Sequence, residues 1–396
     1  MRSGITQNNW IVLGGIHLLN QTAPHRPSDP IVLVQVPPQE VCSPSTTVVI
    51  RWETLGPCPV TALTVGGGRI QHARIDGAAL FPDAIAGEPL RQIVGPAAAP
   101  GLVPLCYLAQ QPSGAYHAFA QIRFYAEDAC FVRTTPEPIG EGPAEALDWL
   151  EPMLAAHAAS ALRLNNHLRY FRTHFAGTEL EYKYNLPSTV DIWATSLQLL
   201  KTLRHGGLAD FRPEYREEFQ INYFDNHMFD ITGPAAERGY ASFIPAASGK
   251  YILKRKWFTE DSFARREQIF PDIDISPDEF SDHLRSKLGL EVRPLPPFRR
   301  VRYDIQCESM RTGHVLGIFI DRCSLLNAPD TVLSQCELEY RRSRNILPHD
   351  AQEVLSDMEH VDRWLVKYLA DLGMPTRRTF YSKLSFLRDV AVAHQD

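Results

Sequence analysis

The sequence has few of the features that mark membrane, disulfide-rich or generic nucleic-acid-binding proteins. Its apolar run at residues 11–19 is far shorter than the roughly 20 residues that cross a bilayer, and it lacks a strongly basic flank and a small-residue cleavage site. The 40 basic and 46 acidic side chains give a formal net charge of −6, whereas nucleic-acid-binding domains are usually basic. We therefore expect no membrane segment and no nucleic-acid partner.

Cysteine is scarce and scattered along the chain. The seven cysteines are Cys42, Cys58, Cys106, Cys130, Cys307, Cys323 and Cys336, and no two of them have C-x-x-C spacing. An odd number of dispersed cysteines argues against a disulfide framework and against a structural zinc site. We therefore expect reduced thiols and a cytoplasmic protein.

The length of 396 residues predicts two domains. Residues 31–132 are rich in β-branched and aromatic runs separated by turns, and a Pro- and Gly-rich boundary at 135–143 precedes a helical pattern that reaches Leu168. We divide the chain into a β-rich accessory domain at 1–140, a helical connector at 141–175 and a C-terminal domain at 176–396. For the accessory domain, assembly of a homodimer and binding of an acyl or carrier partner are the open alternatives.

Residues 178–186, T-E-L-E-Y-K-Y-N-L, alternate charged side chains with large apolar ones. Because strand side chains point to opposite faces in turn, Glu179, Glu181 and Lys183 share one face, and the leucine and tyrosines between them share the other. Taken alone, this pattern is typical of a strand half exposed to water.

The same alternation recurs in the C-terminal half, which changes that interpretation. Its charged members are Lys254, Lys256, Arg265, Glu267, Arg300, Arg302, Asp321, Glu337 and Glu339. Since the opposite strand faces are strongly apolar, helices can cover the outside of a closed sheet while the charges line its interior. Paired carboxylates suit Mg²⁺ or Mn²⁺, and rows of Lys and Arg suit a polyanion, so the two together indicate a metal-bound polyphosphate.

These ordered motifs resemble the CYTH superfamily, also called triphosphate tunnel metalloenzymes. The family's E-x-E-x-K signature is matched by Glu179, Glu181 and Lys183. In order along the chain follow N-Y-F-D, L-K-R-K, R-R-E, R-V-R, I-D-R-C, E-L-E and the closing segment T-F-Y-S-K-L-S-F-L. The resemblance covers about residues 170–390 and none of the N-terminal half.

The resemblance implies an α+β protein with a C-terminal eight-stranded antiparallel tunnel barrel and covering helices, preceded here by the β-rich domain. It implies a triphosphate-containing small molecule as ligand and Mg²⁺ or Mn²⁺ as cofactor. The implied metal carboxylates are Glu179, Glu181, Glu337, Glu339 and Asp321. The implied phosphate-binding residues are Lys254, Lys256, Arg265, Arg300 and Arg302, and the implied catalytic residues are Lys183, Glu179 and Glu181.

Two departures from the family pattern bear on specificity. The family's L-R-x-R-like strand is replaced here by Y-A-S-F-I-P-A at 240–246, with only Arg238 nearby. One wall of the phosphate site is therefore expected to be weaker, or to recognise something other than a plain triphosphate. The H-F pair of class IV adenylate cyclases is matched by His174 and Phe175, but three residues separate it from E-x-E-x-K where that class has four.

We predict a divalent-metal-dependent hydrolase of a triphosphate or related phosphoanhydride. One alternative is a class IV-type adenylate cyclase, in which the ribose 3′-hydroxyl attacks and pyrophosphate leaves. Another is a non-catalytic sensor of a phosphorylated ligand, whose N-terminal domain binds a partner.

A double substitution separates the enzymatic predictions from the sensor. Glu179→Gln together with Glu181→Gln removes two negative charges with little change in shape, so turnover should fall to background if the protein is an enzyme. Turnover of candidate phosphate esters and the phenotype of a cell carrying the double variant are the measurements. An unchanged phenotype in that cell would contradict the enzymatic prediction and favour the sensor.

Overall fold

The computed structural model describes residues 8–20, 24–36, 47–95, 101–124, 128–164, 171–214, 219–258, 262–309, 311–344 and 350–393. The chain divides into two compact units, the first built mainly from residues up to Arg172 and the second mainly from residues after it. No helix within the described ranges is long and apolar enough to cross a membrane.

The first unit is built on one antiparallel sheet of eight strands. In chain order they are β1 (Asn9–Gly15), β2 (Pro30–Val36), β3 (Thr47–Arg51), β4 (Pro57–Thr64), β5 (Arg69–Asp76), β6 (Leu102–Gln110), β7 (Tyr116–Phe124) and β8 (Asp128–Arg133). Their order in the sheet is β3-β8-β7-β6-β1-β2-β4-β5. The β-branched and aromatic runs of the sequence thus form strands, as their composition indicates.

Both faces of this sheet are covered. On β1, Ile11 and Leu13 belong to one apolar core, and Trp10 and Val12 belong to the other. The helices of this unit are α1 (His17–Asn20), α2 (Glu88–Val94) and α3 (Leu150–Leu164). Because both faces are buried, the strands read as nearly continuous apolar runs rather than as alternating ones.

The second unit is built on longer strands. The short β9 (Phe171–Arg172) still belongs to the first unit. The strands of the second unit are β10 (Thr178–Leu186), β11 (Phe211–Pro213), β12 (Gln220–Ile231), β13 (Gly239–Pro245), β14 (Tyr251–Trp257), β15 (Ala264–Ile273), β16 (Val292–Pro294), β17 (Phe298–Ser309), β18 (His314–Leu325), β19 (Val332–Arg344) and β20 (Arg378–Thr379). The helices are α4 (Ile192–Arg204), α5 (Phe280–Leu288), α6 (Ala351–Asp371) and α7 (Lys383–Ala393).

Eight of these strands close into an antiparallel barrel. The order around the ring is β17-β18-β19-β10-β15-β14-β13-β12, and β12 pairs again with β17. Closure removes the two free edges that an open sheet would expose. The eight-stranded antiparallel barrel predicted for the C-terminal half is therefore confirmed; we call its interior the lumen.

Helices cover the apolar outer face of one part of the barrel. Tyr184 of β10 and Leu338 of β19 share a buried core with Leu199 of α4 and with Val361 and Leu365 of α6. The helix α6 begins at Ala351, and the Asp350 side chain caps it by accepting a hydrogen bond from the Gln352 amide at 2.9 Å. This packing leaves the other face of the strands for the lumen.

Two further sequence predictions concern the cysteines and the helical connector. Cys106, Cys307, Cys323 and Cys336 are buried thiols without a disulfide, whereas Cys42 lies outside the described residues. The helical pattern expected up to Leu168 is found as α3, which ends at Leu164, and residues 165–170 lie outside the described part of the chain.

Burial of the outer face predicts a stability difference between two apolar truncations. Leu338 is 0% exposed beneath the helices, whereas Ile221 on β12 is 60% exposed. We expect Leu338→Ala to lower the free energy of unfolding of the barrel by about 2–5 kcal/mol, and Ile221→Ala to change it by less than about 0.5 kcal/mol. Urea denaturation of the full chain measures both values. Equal losses in the two variants would contradict the observed covering of the barrel.

Candidate functional site

The opening strand of the barrel shows how the alternating sequence is oriented. Tyr182 and Tyr184 of β10 point outward, where their hydroxyls donate hydrogen bonds to Glu359 and Asp362 of α6 at 2.9 and 2.5 Å. The residues between and beside them therefore point inward. The charged face of residues 178–186 is the lumen face, as predicted.

Inward side chains from seven of the eight barrel strands line one cavity, with an empty volume of about 580 Å³ that includes the solvent-filled part of its mouth. Seven of its lining residues are cationic: Lys183, Lys254, Lys256, Arg265, Arg300, Arg302 and Lys383. Four are carboxylates: Glu179, Glu181, Glu337 and Glu339. The walls therefore carry more positive than negative side chains, which favours an anionic ligand.

On one side of the lumen, the β10 carboxylates meet the lysines of β14. Lys256 Nζ contacts a carboxylate oxygen of Glu179, and Lys254 Nζ lies 3.7 Å from the other oxygen. Lys254 also pairs with Glu267 of β15 at 2.7 Å. These pairs satisfy charges that burial would otherwise make very costly.

On the opposite side, β17, β18 and β19 bring a second group of charges together. Arg300 donates to Asp321 at 2.5 Å and lies 3.4 Å from Glu337. Lys383, at the start of α7, reaches into the lumen and lies 2.6 Å from Glu337 and 2.8 Å from Asp321. Asp321 does not line the cavity, and its contacts hold two cations that do.

The two glutamates of the E-x-E-x-K motif on β10 have pKa values that are shifted in opposite directions. Burial alone would raise the pKa of Glu179, but the positive charges of Lys256, Lys254 and Lys183 outweigh it and lower the pKa below its ordinary range. Burial and the adjacent charge of Glu179 raise the pKa of Glu181. Two carboxyl groups two residues apart thus differ in their affinity for a proton because their surroundings differ.

The lysines of the lumen differ in the same way. Burial lowers the pKa of Lys183, although it contacts Glu181. Lys256 is also buried, but the negative charge of Glu179 more than compensates and raises its pKa well above the ordinary value. Lys256 is therefore a permanent positive charge at neutral pH.

The Arg302 guanidinium can donate a further hydrogen bond to a ligand. One of its terminal nitrogens is buried and has no hydrogen-bond partner among the described residues, since Glu337 and Glu339 lie 3.7 and 3.8 Å away. The guanidinium lies over the Phe319 ring at 3.4 Å. Gly317 makes room for that ring, because a Cβ at Gly317 would collide with it. An unsatisfied buried donor of this kind is costly unless a ligand accepts its hydrogen bond.

One part of the cavity carries no charge. We call it the neutral wall; it consists of Tyr240, Ser242 and Ile244 of β13 and Asn226 and Met228 of β12. Ser242 donates a hydrogen bond to the Asn226 side chain at 2.6 Å, so these two polar groups satisfy each other. The departure from L-R-x-R seen in the sequence therefore falls on the lumen face of β13.

The structure brings the predicted residues to one place, and their roles remain predictions. All the predicted catalytic, phosphate-binding and metal residues line the cavity except Asp321, which lies behind it. Sequence reasoning assigned no role to Lys383, Tyr240 or Phe258, which also line it. The available signal for Lys383 was its place in the closing segment, as a lysine within the mostly apolar run of residues 380–387.

The lumen carboxylates fit a divalent metal in donor type, because hard cations prefer oxygen ligands. Glu181 of β10 lies directly opposite Glu339 of β19, and Lys183 lies opposite Glu337. Within the described ranges, however, no three Asp, Glu, His or Cys side chains form a group that could hold a metal ion. The carboxylates contact lysines and arginines instead, so a bound metal would have to replace some of those contacts.

Comparison with known proteins assigns no family. No protein-family model matches the chain, and no curated protein matches it in sequence. One similar solved structure is a putative adenylyl cyclase from Hippeastrum, described as revealing a dominant triphosphatase activity. It is 17% identical, with 53% of this chain and 95% of that chain covered and a TM-score of 0.31.

Two further solved structures are more distant. The RNA triphosphatase Pct1 of S. pombe, in complex with the Spt5 CTD, is 12% identical over 55% of this chain and 83% of that chain, with a TM-score of 0.20. The di-domain ARO/CYC StfQ of the steffimycin biosynthetic pathway is 10% identical over 90% and 92%, with a TM-score of 0.16. Since all three TM-scores are below 0.5, the barrel described above stands on the strand pairings of this chain alone.

The charge group around Asp321 predicts strong coupling between two side chains. Lys383→Met leaves Asp321 and Glu337 buried with one cation fewer, so it should lower the free energy of unfolding by about 3–5 kcal/mol. Adding Asp321→Asn removes one of these two buried negative charges, so it should recover part of the lost stability. We expect a coupling energy of about 0.5–3 kcal/mol between the two substitutions. Urea denaturation of the two single variants and the double variant measures the coupling. Strictly additive losses would show that the two side chains do not interact.

Proposed function

We propose that the barrel is a divalent-metal-dependent hydrolase of a triphosphate or related phosphoanhydride, and that the second unit belongs to the CYTH superfamily. The observation that carries the proposal is the cavity itself, in which seven cationic side chains surround a space also lined by four carboxylates. A bound polyphosphate would balance the excess of cationic side chains over carboxylates. The carboxylates supply oxygen donors for the metal that usually accompanies such a ligand.

The cations would bind and polarise the substrate. Lys254, Lys256 and Arg265 lie on β14 and β15, whereas Arg300 and Arg302 lie on β17, so a phosphate chain in the lumen is approached from two sides. Fixed positive charge around the reacting phosphorus stabilises negative charge that develops on its oxygens and on the leaving group. Water attacks the terminal phosphorus, the bridging P–O bond breaks, and the shortened phosphate chain leaves.

Lys383 and Asp321 would support this arrangement. Lys383 contacts Glu337 and Asp321, and Asp321 holds Arg300. We assign Lys383 to the phosphate-binding set because it lines the cavity, and Asp321 to the orientation of Arg300 and Lys383. Side chains already held in place lose little freedom when the ligand binds.

Glu179, Glu181, Glu337 and Glu339 are the side chains that would hold Mg²⁺ or Mn²⁺. The metal would supply charge neutralisation and Lewis-acid polarisation of the phosphate oxygens. If a metal and a phosphate were bound together, these carboxylates would exchange ammonium or guanidinium contacts for contacts with the metal, and the lumen cations would be available to phosphate. No charged group need be left buried without a partner in this exchange.

A screen of full-length protein with Mg²⁺ or Mn²⁺ against tripolyphosphate, thiamine triphosphate and nucleoside triphosphates tests the proposal. We expect orthophosphate and the corresponding diphosphate as products. Cyclic nucleotide and pyrophosphate would instead identify a cyclase. Absence of turnover with every substrate and both metals would refute the hydrolase.

Two arginines on opposite faces of β17 provide a matched pair of variants. Arg302 points into the lumen, whereas Arg299 is on the outer face, where it pairs with Asp225 at 2.7 Å. Arg302→Met should lower kcat/KM by about 100-fold or more, by analogy with the loss of one donor from a preorganised charge-stabilising site. Arg299→Met should change kcat/KM by less than about twofold, because it removes an exposed ion pair. Similar losses in both variants would argue against phosphate binding in the lumen.

A further inference from the structure

The neutral wall gives the cavity two chemically different sides. Lys254 and Lys256 of β14 lie directly beside Ser242 and Tyr240 of β13 in the sheet, so charged and uncharged lumen positions are adjacent. Every lumen-facing residue that β13 contributes to the cavity is uncharged. A phosphate oxygen placed against Ile244 or Met228 would lose its water without gaining a cation or a hydrogen-bond donor.

Two aromatic side chains lie at the border between the charged part of the cavity and the neutral wall. Tyr240 and Phe258 both line the cavity, and their ring centroids are 5.7 Å apart with an interplanar angle of 31°. The Arg265 guanidinium lies over the Phe258 ring at 4.1 Å and also lies 3.9 Å from Glu181. An anion held by Arg265 is therefore next to an aromatic surface, and both can be contacted by one molecule.

A second cavity adjoins this pair at Phe258. Phe258 also lines a neighbouring cavity with Ile231, Ala235 and Arg238. Met228 and Leu384 pack together in the apolar cluster against which Tyr240 and Phe258 lie. A ligand ring beside Tyr240 and Phe258 therefore has further apolar surface to cover.

We propose that Tyr240 and Phe258 determine substrate specificity, by binding an aromatic organic group that is attached to the phosphate chain. The neutral wall then selects heteroaromatic triphosphates over inorganic tripolyphosphate. This inference rests on the proposed function, and it identifies the part of the lumen that recognises the organic group. Apolar and stacking contacts made only by the organic substrates supply the preference.

Steady-state kinetics with full-length protein and Mg²⁺ test the inference, with ATP and thiamine triphosphate as organic probes and tripolyphosphate as the inorganic one. The kcat/KM of the better organic probe should exceed that of tripolyphosphate by tenfold or more. Tyr240→Ala should reduce this ratio about tenfold, mainly by raising KM for the organic probe, and Tyr240→Phe should restore it. Tyr223→Ala, on the exposed outer face of β12, is the matched control and should leave the ratio unchanged.

A gain-of-function variant tests the same inference from the opposite direction. Ser242→Arg places a cation on the neutral wall, so it should raise kcat/KM for tripolyphosphate relative to the organic probes by fivefold or more. Circular dichroism of each variant verifies its fold. Equal or better use of tripolyphosphate by the unaltered protein, or equal losses for all probes in Tyr240→Ala, would overturn the specificity role. Absence of phosphate release from all three probes would overturn the proposed function, and this inference with it.

Discussion

Charged side chains inside a closed sheet must find partners of opposite charge, and the barrel is arranged around this requirement. Glu337 illustrates it: burial alone would raise its pKa, yet Lys383, Lys183 and the lumen arginines lower it well below its ordinary value. Such a group can stay ionised only if its cations are held at fixed positions. The tyrosines of β10 and the helices α4 and α6 provide this by fixing the outer faces of the strands. Apolar packing outside and charge pairing inside therefore depend on each other.

The same requirement explains how the cavity can bind a ligand. Its charge pairs are complete enough to allow folding, but cations outnumber carboxylates along the walls, and a buried nitrogen of Arg302 has no hydrogen bond to any described residue. A bound anion would balance the excess positive charge and could accept a hydrogen bond from Arg302. In the arrangement that we propose, the uncharged positions of β13 limit where that anion can lie, so that phosphate lies near β14, β15 and β17 and an organic group lies near Tyr240 and Phe258.

Much of this arrangement could be predicted from sequence because strands have a period of two. The alternation at residues 178–186 and its recurrence at Lys254, Arg300 and Glu337 identified the lumen face, and the outer apolar face identified where helices pack. Lys383 could not be found in this way, since it begins a helix. Its position, and with it the contact between Lys383 and Asp321, follows from how the chain returns to the barrel after α6. Phe258 continues the two-residue spacing of Lys254 and Lys256, but it lies just past the end of β14, where no charged side chain marks the lumen face.

Direct binding of a non-hydrolysable triphosphate tests the central claim most closely. Isothermal titration of full-length protein with β,γ-imido-ATP, with and without Mg²⁺, separates recognition by the lumen from any later chemistry. We predict one site per chain, tighter binding with Mg²⁺, and loss of binding when Arg300 and Arg302 are both replaced by Met. Binding that persists undiminished in the double variant, or no binding by the unaltered protein, would contradict the assignment of the lumen as a triphosphate site.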